Sequence, residues 1–204
     1  MPPKSSSSPR GWPRELVYLH APRYSKKLNG DATKALVVPN SAPSLRSIYQ
    51  VPKSQGPYTN VRITPISNPA HPANGQYGLY AAHNLPPDAF ILPYLGYVHG
   101  PTDLDEQSDY DLSLDREQEV GVDASRMGNE ARFINDYRGI SNSPNAEFRD
   151  ISVDVGNGGV EKRMGVFVLS AGKSGKRAKG IGKGEEILVS YGKGFWSERA
   201  AMKQ

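Results

Sequence analysis

The sequence predicts a mostly β protein, one domain of several short sheets with a modest appendage. Three observations lead there. The 204 residues include 21 Gly and 17 Pro with 37% hydrophobic residues, a composition suited to turns and short elements rather than long helices. Runs of β-branched and aromatic residues recur at short intervals, bounded by Gly or Pro. No internal repeat divides the chain, and its length favours a single domain.

The elements follow from these patterns. Val61 to Ile66 alternates apolar and polar positions as a half-buried strand does. Ala89 to Leu92 and Tyr94 to Val98 read as strands separated by Pro93, the second carrying Gly96. Gly165 to Leu169 and Ile187 to Tyr191 are two more, and Phe195 to Met202 reads as a closing helix. Before Pro57 the pattern is weak. Leu16 to Tyr18 and Ala35 to Val38 are apolar patches without an assignable fold, and the first ten residues are expected to be disordered. The expected organisation is a basic, partly disordered leader over 1–55 and a globular domain over 56–204.

Charge divides along the same line. Residues 1–55 hold nine Lys/Arg against two acids, +7, and the remainder holds sixteen against nineteen, −3. Two stretches concentrate charge further. Residues 103–123 carry nine acids and only Arg116, while Lys173, Lys176, Arg177, Lys179 and Lys183 sit among glycines. Such basic stretches read as solvated segments or as contacts with nucleic acid or an acidic partner. Cysteine is absent, which excludes disulfides and cysteine-ligated zinc. No apolar run reaches the roughly 20 residues of a membrane span, and the start lacks the apolar stretch of a secretory signal. A soluble intracellular protein fits best. His20, His71, His83 and His99 form no metal-ligand spacing, so no metal is expected. There is no Gly-rich phosphate cradle and no Ser/His/Asp constellation.

Four segments carry a more specific signal. The first is the glycine turn Asn74-Gly75-Gln76-Tyr77-Gly78-Leu79-Tyr80-Ala81, and the second is Tyr94-Leu95-Gly96 after an apolar strand. The third runs Tyr110-Asp111-Leu112-Ser113-Leu114, Val122-Asp123-Ala124, Gly128-Asn129-Glu130-Ala131-Arg132-Phe133-Ile134-Asn135 and Pro144-Asn145-Ala146. The fourth is Gly184-Glu185-Glu186-Ile187-Leu188-Val189-Ser190-Tyr191-Gly192. In this order and spacing they resemble the SET-domain family of protein-lysine methyltransferases, over roughly residues 57 to 200, in a compact form without cysteine-rich zinc-binding flanks. Two departures stand out: Gln76 replaces the first glycine of the family's Gly-x-Gly, and Asp136-Tyr137-Arg138 replaces its usual His-Ser-Cys.

The resemblance implies a fold of short sheets whose closing strand threads beneath the Arg-Phe-Ile-Asn strand and loop as a pseudoknot. It implies S-adenosylmethionine as cofactor, held by Gln76, Tyr77, Gly78, Arg132, Phe133, Asn135, Asp136, Tyr191 and Trp196. Backbone at a glycine can approach such a ligand closely, and the Asp136 carboxylate is a candidate acceptor for the adenine amino group. Tyr191 takes the family's catalytic tyrosine position, with Tyr110 and Tyr94 beside it as catalytic and sulfonium contacts. Tyr110, Val189 and Phe195 are expected along the substrate channel, and Trp196 or Phe195 over the adenine. Val189 stands where many members carry Phe or Tyr that limits how many methyl groups fit.

The residue types suit the chemistry. A lysine amine, with a pKa near 10.4, must lose its proton before it attacks. A narrow apolar channel favours that neutral form, and a tyrosine hydroxyl can orient its lone pair. The expected partner is a protein with a basic, lysine-containing segment drawn to the acidic 103–123 stretch. The leader and residues 173–183 are further candidates for nucleic-acid or nucleosome contact. A nuclear location is expected, with a cytoplasmic one as alternative. Two other readings stay open: a SET-scaffold binding module without turnover, and a nucleic-acid-associated protein acting through its basic segments.

Overall fold

The computed structural model describes residues 8–39, 48–51, 55–156, 158–173, 175, 177, 179–192 and 195–196. The described part of the basic leader is woven into the sheets. Strand β1 (Val17–Tyr18) runs parallel to Met127–Gly128, and β2 (Arg23–Tyr24) parallel to Tyr97–Val98. Helix α1 (Gly30–Leu36) starts where the Asn29 side chain accepts the Ala32 amide at 2.7 Å, a capping bond that satisfies an otherwise orphaned donor. It buries Ala32 and Leu36 in the core. The apolar patch Ala35 to Val38 therefore splits, its first half ending the helix and its second entering β3 (Val37–Pro39). Strand β4 (Tyr49–Val51) pairs in parallel with Ile151–Val153.

Strands β5 (Val61–Pro65) and β6 (Tyr77–Ala81) form an antiparallel pair with Val61 and Ile63 buried and Arg62 and Thr64 exposed, as the alternation predicts. Strand β7 (Phe90–Tyr94) contains Pro93 rather than ending at it. Asn129 explains this. Fully buried, it donates to the Pro93 carbonyl at 2.8 Å and accepts the Leu95 amide at 3.1 Å, replacing ladder bonds that proline interrupts. Strand β8 (Tyr97–His99) joins β9 (Asp111–Asp115) and β10 (Val120–Asp123) in a four-stranded sheet of order β2-β8-β10-β9. The second half of the acidic stretch thus forms the β9–β10 hairpin. Met127–Gly128, the partner of β1, is β11.

The Arg132-Phe133 pair does not lie on a strand. Glu130–Phe133 form a 3-10 turn, and only Asn135–Asp136 is extended, as β12. The largest sheet centres on a long hairpin of β13 (Ala146–Gly156) and β14 (Gly159–Val168), flanked by β3, β4 and β7. The expected strand Ile187 to Tyr191 contracts to β15 (Leu188–Val189), because its parallel partner β12 is only two residues long. The segment around β15 is gripped from both sides. Tyr137 donates to the Val189 carbonyl, while Asn145 bonds Leu188 through its amide and side chain and donates to the Glu186 carbonyl. Residues 137–145 thus close around the strand as a pseudoknot. The expected closing helix lies, beyond Trp196, outside the described residues.

Candidate functional site

Two cavities meet where the pseudoknot, the 3-10 turn and the β9 approach converge. One, of about 580 Å³, is lined by Tyr94, Tyr110, Ile134, Phe148 and the acids Asp105, Glu106, Asp109 and Asp111. The other, of about 460 Å³, is lined by Gln76, Tyr77, Phe133, Asn135, Asp136, Arg138 and Trp196, with Pro13, Glu15 and Leu16 from the N-terminal segment. Both fall in the range of about 300–1,000 Å³ usual for small-molecule sites. Asp109, Tyr110, Arg132, Tyr191 and Phe195 line both and form the wall between them.

Tyr191 is the centre of that wall. Its hydroxyl donates to the Ile134 carbonyl at 2.7 Å, so its oxygen lone pairs remain available to a second group. Burial, with the neighbouring Tyr110 and Asp136, pushes the phenol's pKa far up, and Tyr191 stays neutral. Tyr94 is buried and donates to the Tyr110 carbonyl at 2.7 Å. Its own pKa is raised, first by burial and then by Tyr191. Arg132 spans the wall, its guanidinium 4.4 Å from the Tyr110 ring centre and 4.9 Å from that of Phe133, with Nε donating to the Ala124 carbonyl.

Asp136 occupies a different position from the one expected. Oδ1 accepts the Arg138 amide at 2.9 Å, and Oδ2 accepts Arg138 Nη1 at 2.7 Å, the Tyr191 amide at 2.7 Å and the Trp196 indole at 3.3 Å. Oδ2 thus takes three protein donors and Oδ1 one, so the carboxylate serves first as a brace for its own chain. Burial disfavours its charge, yet the amide bonds from Tyr191 and Arg138 with the Trp196 and Arg138 side chains outweigh this and lower its pKa.

Asn135 is braced in a second network. Its side-chain nitrogen donates to Glu186 Oε1 at 2.8 Å and the Tyr77 carbonyl at 3.2 Å, leaving its oxygen unspent on these bonds. Glu186 Oε2 in turn meets His71 Nε2 at 3.1 Å and the Tyr80 hydroxyl at 3.3 Å. This explains Gly78: a Cβ there would lie 2.6 Å from Glu186 Oε1. The glycine makes room for the glutamate and does not itself line either cavity. Gln76 lies exposed on the cavity rim.

The remaining expected residues divide. Tyr77 packs edge-on against Phe133 at 5.7 Å, and Phe195 stands between Tyr191 and Trp196 at 5.0 and 5.3 Å. Val189 is fully buried in the core and lines neither cavity, whereas Ile134 and Phe148 line the 580 Å³ one. Among the described residues no cluster of three or more His, Asp or Glu could hold a metal, and no helix is long and apolar enough to cross a membrane. Lys173, Arg177 and Lys179 are exposed before Ile181 and Lys183 just after it, while Lys176 lies outside the described residues.

Sequence reasoning missed Glu186 as the brace of Asn135, Asn129 behind Pro93, and the N-terminal lining residues. It also missed Glu130, which is buried, accepts bonds from Tyr18 and the Tyr58 amide, and has its pKa raised mainly by burial.

The SET-domain family model matches residues 76–192, more than half of the chain. The chain belongs to the SET-domain methyltransferase family. Similar solved structures include a crystal structure of the Chaetomium thermophilum polycomb repressive complex 2, 22% identical over 66% of this chain and 15% of that one, with a TM-score of 0.48. Another is that complex in an autoinhibited conformation bound to S-adenosylmethionine, 22% identical over 72% of this chain and 17% of that one, TM-score 0.49. This chain therefore spans about a sixth of the length of those chains. No curated protein sequence matches it.

Proposed function

We propose that the protein transfers a methyl group from S-adenosylmethionine to the side-chain amine of a lysine in a protein partner. The observation carrying this reading is the pair of cavities divided by one wall at Tyr110, Arg132 and Tyr191, which lets two substrates approach one reaction point from opposite sides. The 460 Å³ cavity suits the donor: aromatic faces at Trp196 and Phe133, the Asn135 side-chain oxygen, and backbone at Gln76 and Tyr77 would hold it. When bound, S-adenosylmethionine supplies a methyl group already activated by a sulfonium charge, so no acid is required.

The chain's own residues then orient and desolvate. Tyr94, Ile134 and Phe148 line the 580 Å³ cavity, and such apolar walls favour the neutral amine. Neutral Tyr191, anchored by its bond to Ile134, accepts an N–H of that amine and turns its lone pair toward the wall. Such positioning accounts for a large share of a displacement barrier. Carboxylates at Asp105, Glu106 and Asp109 on the outer cavity favour a basic peptide. Histone and non-histone proteins both meet that description, and a nuclear site of action with nucleic acid held by the basic 173–183 loop accords with its charge.

The test is transfer of labelled methyl from donor to a panel of lysine peptides, histone tails included. Label on lysine from the wild type, with Tyr191→Phe slower by about 100-fold or more, supports the reading. Donor binding without any transfer across a lysate panel would leave only a binding module.

A further inference from the structure

The wall of the donor cavity contributed by residues 13–16 lies outside the segment that matches the SET domain. It is nonetheless firmly built. Trp12 donates from its indole to the Leu16 carbonyl at 2.9 Å, closing the turn that carries Glu15. The same indole packs edge-on against Tyr18 at 5.0 Å and Phe133 at 5.5 Å. Beyond the turn, Val17–Tyr18 pairs with β11, and the Tyr18 hydroxyl is tied to buried Glu130. The turn therefore sits on the Phe133 and Tyr77 side of the cavity, whereas Trp196 and Arg138 lie around Asp136.

The charges lining this cavity are unequally engaged. Asp136 is buried and already engaged by Arg138, Tyr191 and Trp196. Arg132 is held by the Ala124 carbonyl and two ring faces. Asp109 belongs to the wall shared with the other cavity. Glu15 is exposed and, among the described residues, has neither hydrogen bond nor ion pair. An ionised carboxylate accepts only, and it pairs best with a cation that also donates.

We propose that Glu15 is a donor-binding residue, taking the α-ammonium of the methionine half of S-adenosylmethionine, with the Trp12 clamp holding it there. The proposal rests on the donor reading above. It makes the N-terminal turn a working part of the site rather than a tether.

Calorimetry on the full chain tests it with two probes. S-adenosylhomocysteine keeps the ammonium; 5′-methylthioadenosine keeps adenine, ribose and sulfur but lacks the amino-acid end. Glu15→Gln is expected to weaken S-adenosylhomocysteine by about five- to thirty-fold, between an exposed and a buried charged pair, and to leave 5′-methylthioadenosine unchanged. Glu15→Lys should weaken the first probe further. Unchanged S-adenosylhomocysteine affinity in Glu15→Gln, or equal losses for both probes, overturns the assignment while the donor site stands. A wild-type chain that binds neither probe overturns the donor site itself, and this assignment with it.

Discussion

The backbone N–H of Tyr191 donates to the Asp136 carboxylate at 2.7 Å. One carboxylate thereby fixes the proposed catalytic tyrosine, the Trp196 indole and the Arg138 guanidinium in a single arrangement. Asp136→Ala leaves those donors without their acceptor and is expected to cost about 1–3 kcal/mol of stability. Turnover should fall and the KM for donor should rise, because Tyr191 and Trp196 move together. Asp136→Asn keeps the shape but not the charge and should fall between the two. Thermal unfolding beside steady-state kinetics checks this; a stable Asp136→Ala protein with normal kinetics would contradict it.

Tyr191→Phe removes a hydroxyl bonded to a backbone carbonyl and little else. Donor affinity should hold while the methyl-transfer rate drops by about two orders of magnitude or more. Single-turnover assays separate the two quantities.

Glu186 positions Asn135 and is itself held by His71 and Tyr80. Glu186→Gln should weaken donor binding by about 1–3 kcal/mol, and Asn135→Ala by a similar amount. If the two act through one path, the double variant should lose less than the sum of the single losses, close to the larger of them. Additive losses would show independent roles.

His99 is buried beside Asp111 at 3.1 Å, and that bond raises its pKa above 6.5 despite desolvation. A raised histidine stabilises fully below its unfolded pKa and loses that contribution as pH rises through the folded value. The stability difference between wild type and His99→Gln should therefore shrink as pH climbs above 6.5. Asp136 has the opposite sign: its lowered pKa contributes above 3.8 and fades as pH falls through the folded value. Denaturant titrations across pH 3 to 9 resolve both arms.

The outer cavity's acids give a simple electrostatic expectation. Asp105→Asn with Glu106→Gln should raise KM for basic peptides and flatten its dependence on salt. The kcat should stay near wild type, because neither residue lines the wall that carries Tyr191.

The site was legible where function and motif coincide. Tyr94, Tyr110, Arg132, Asn135 and Tyr191 stand out by the order of their segments; the fold sets Tyr110, Arg132 and Tyr191 in the wall between the cavities, Tyr94 on one side of it and Asn135 on the other. The braces were not legible, because their roles depend on pairing between distant elements. Glu185 and Glu186 look alike in sequence; only the bridge between Tyr80 and Glu186 turns the second one inward. The polar burial of Asn129 follows from Pro93, thirty-six residues earlier. The β13–β14 hairpin did carry a signal, in the alternation of Ile151, Val153 and Val155 and the glycine-rich turn at 156–159. Sequence reading placed only Gly165 to Leu169 in a strand. Helix α1 was missed because seven residues with one cap offer too little periodicity.

The grip of residues 137–145 on β15 has a consequence for how the protein is made. Tyr191 and the 186–189 segment are among the last parts of the domain to leave the ribosome, while the clasp that must receive them is synthesised some forty residues earlier. The sheets from β5 to β14 can form during translation, but the wall between the two cavities cannot. A chain cut before Glu186 would lack the partners of Asn145 and Asn135 and leave the clasp unfilled. The wall is completed only when the 186–191 segment is captured.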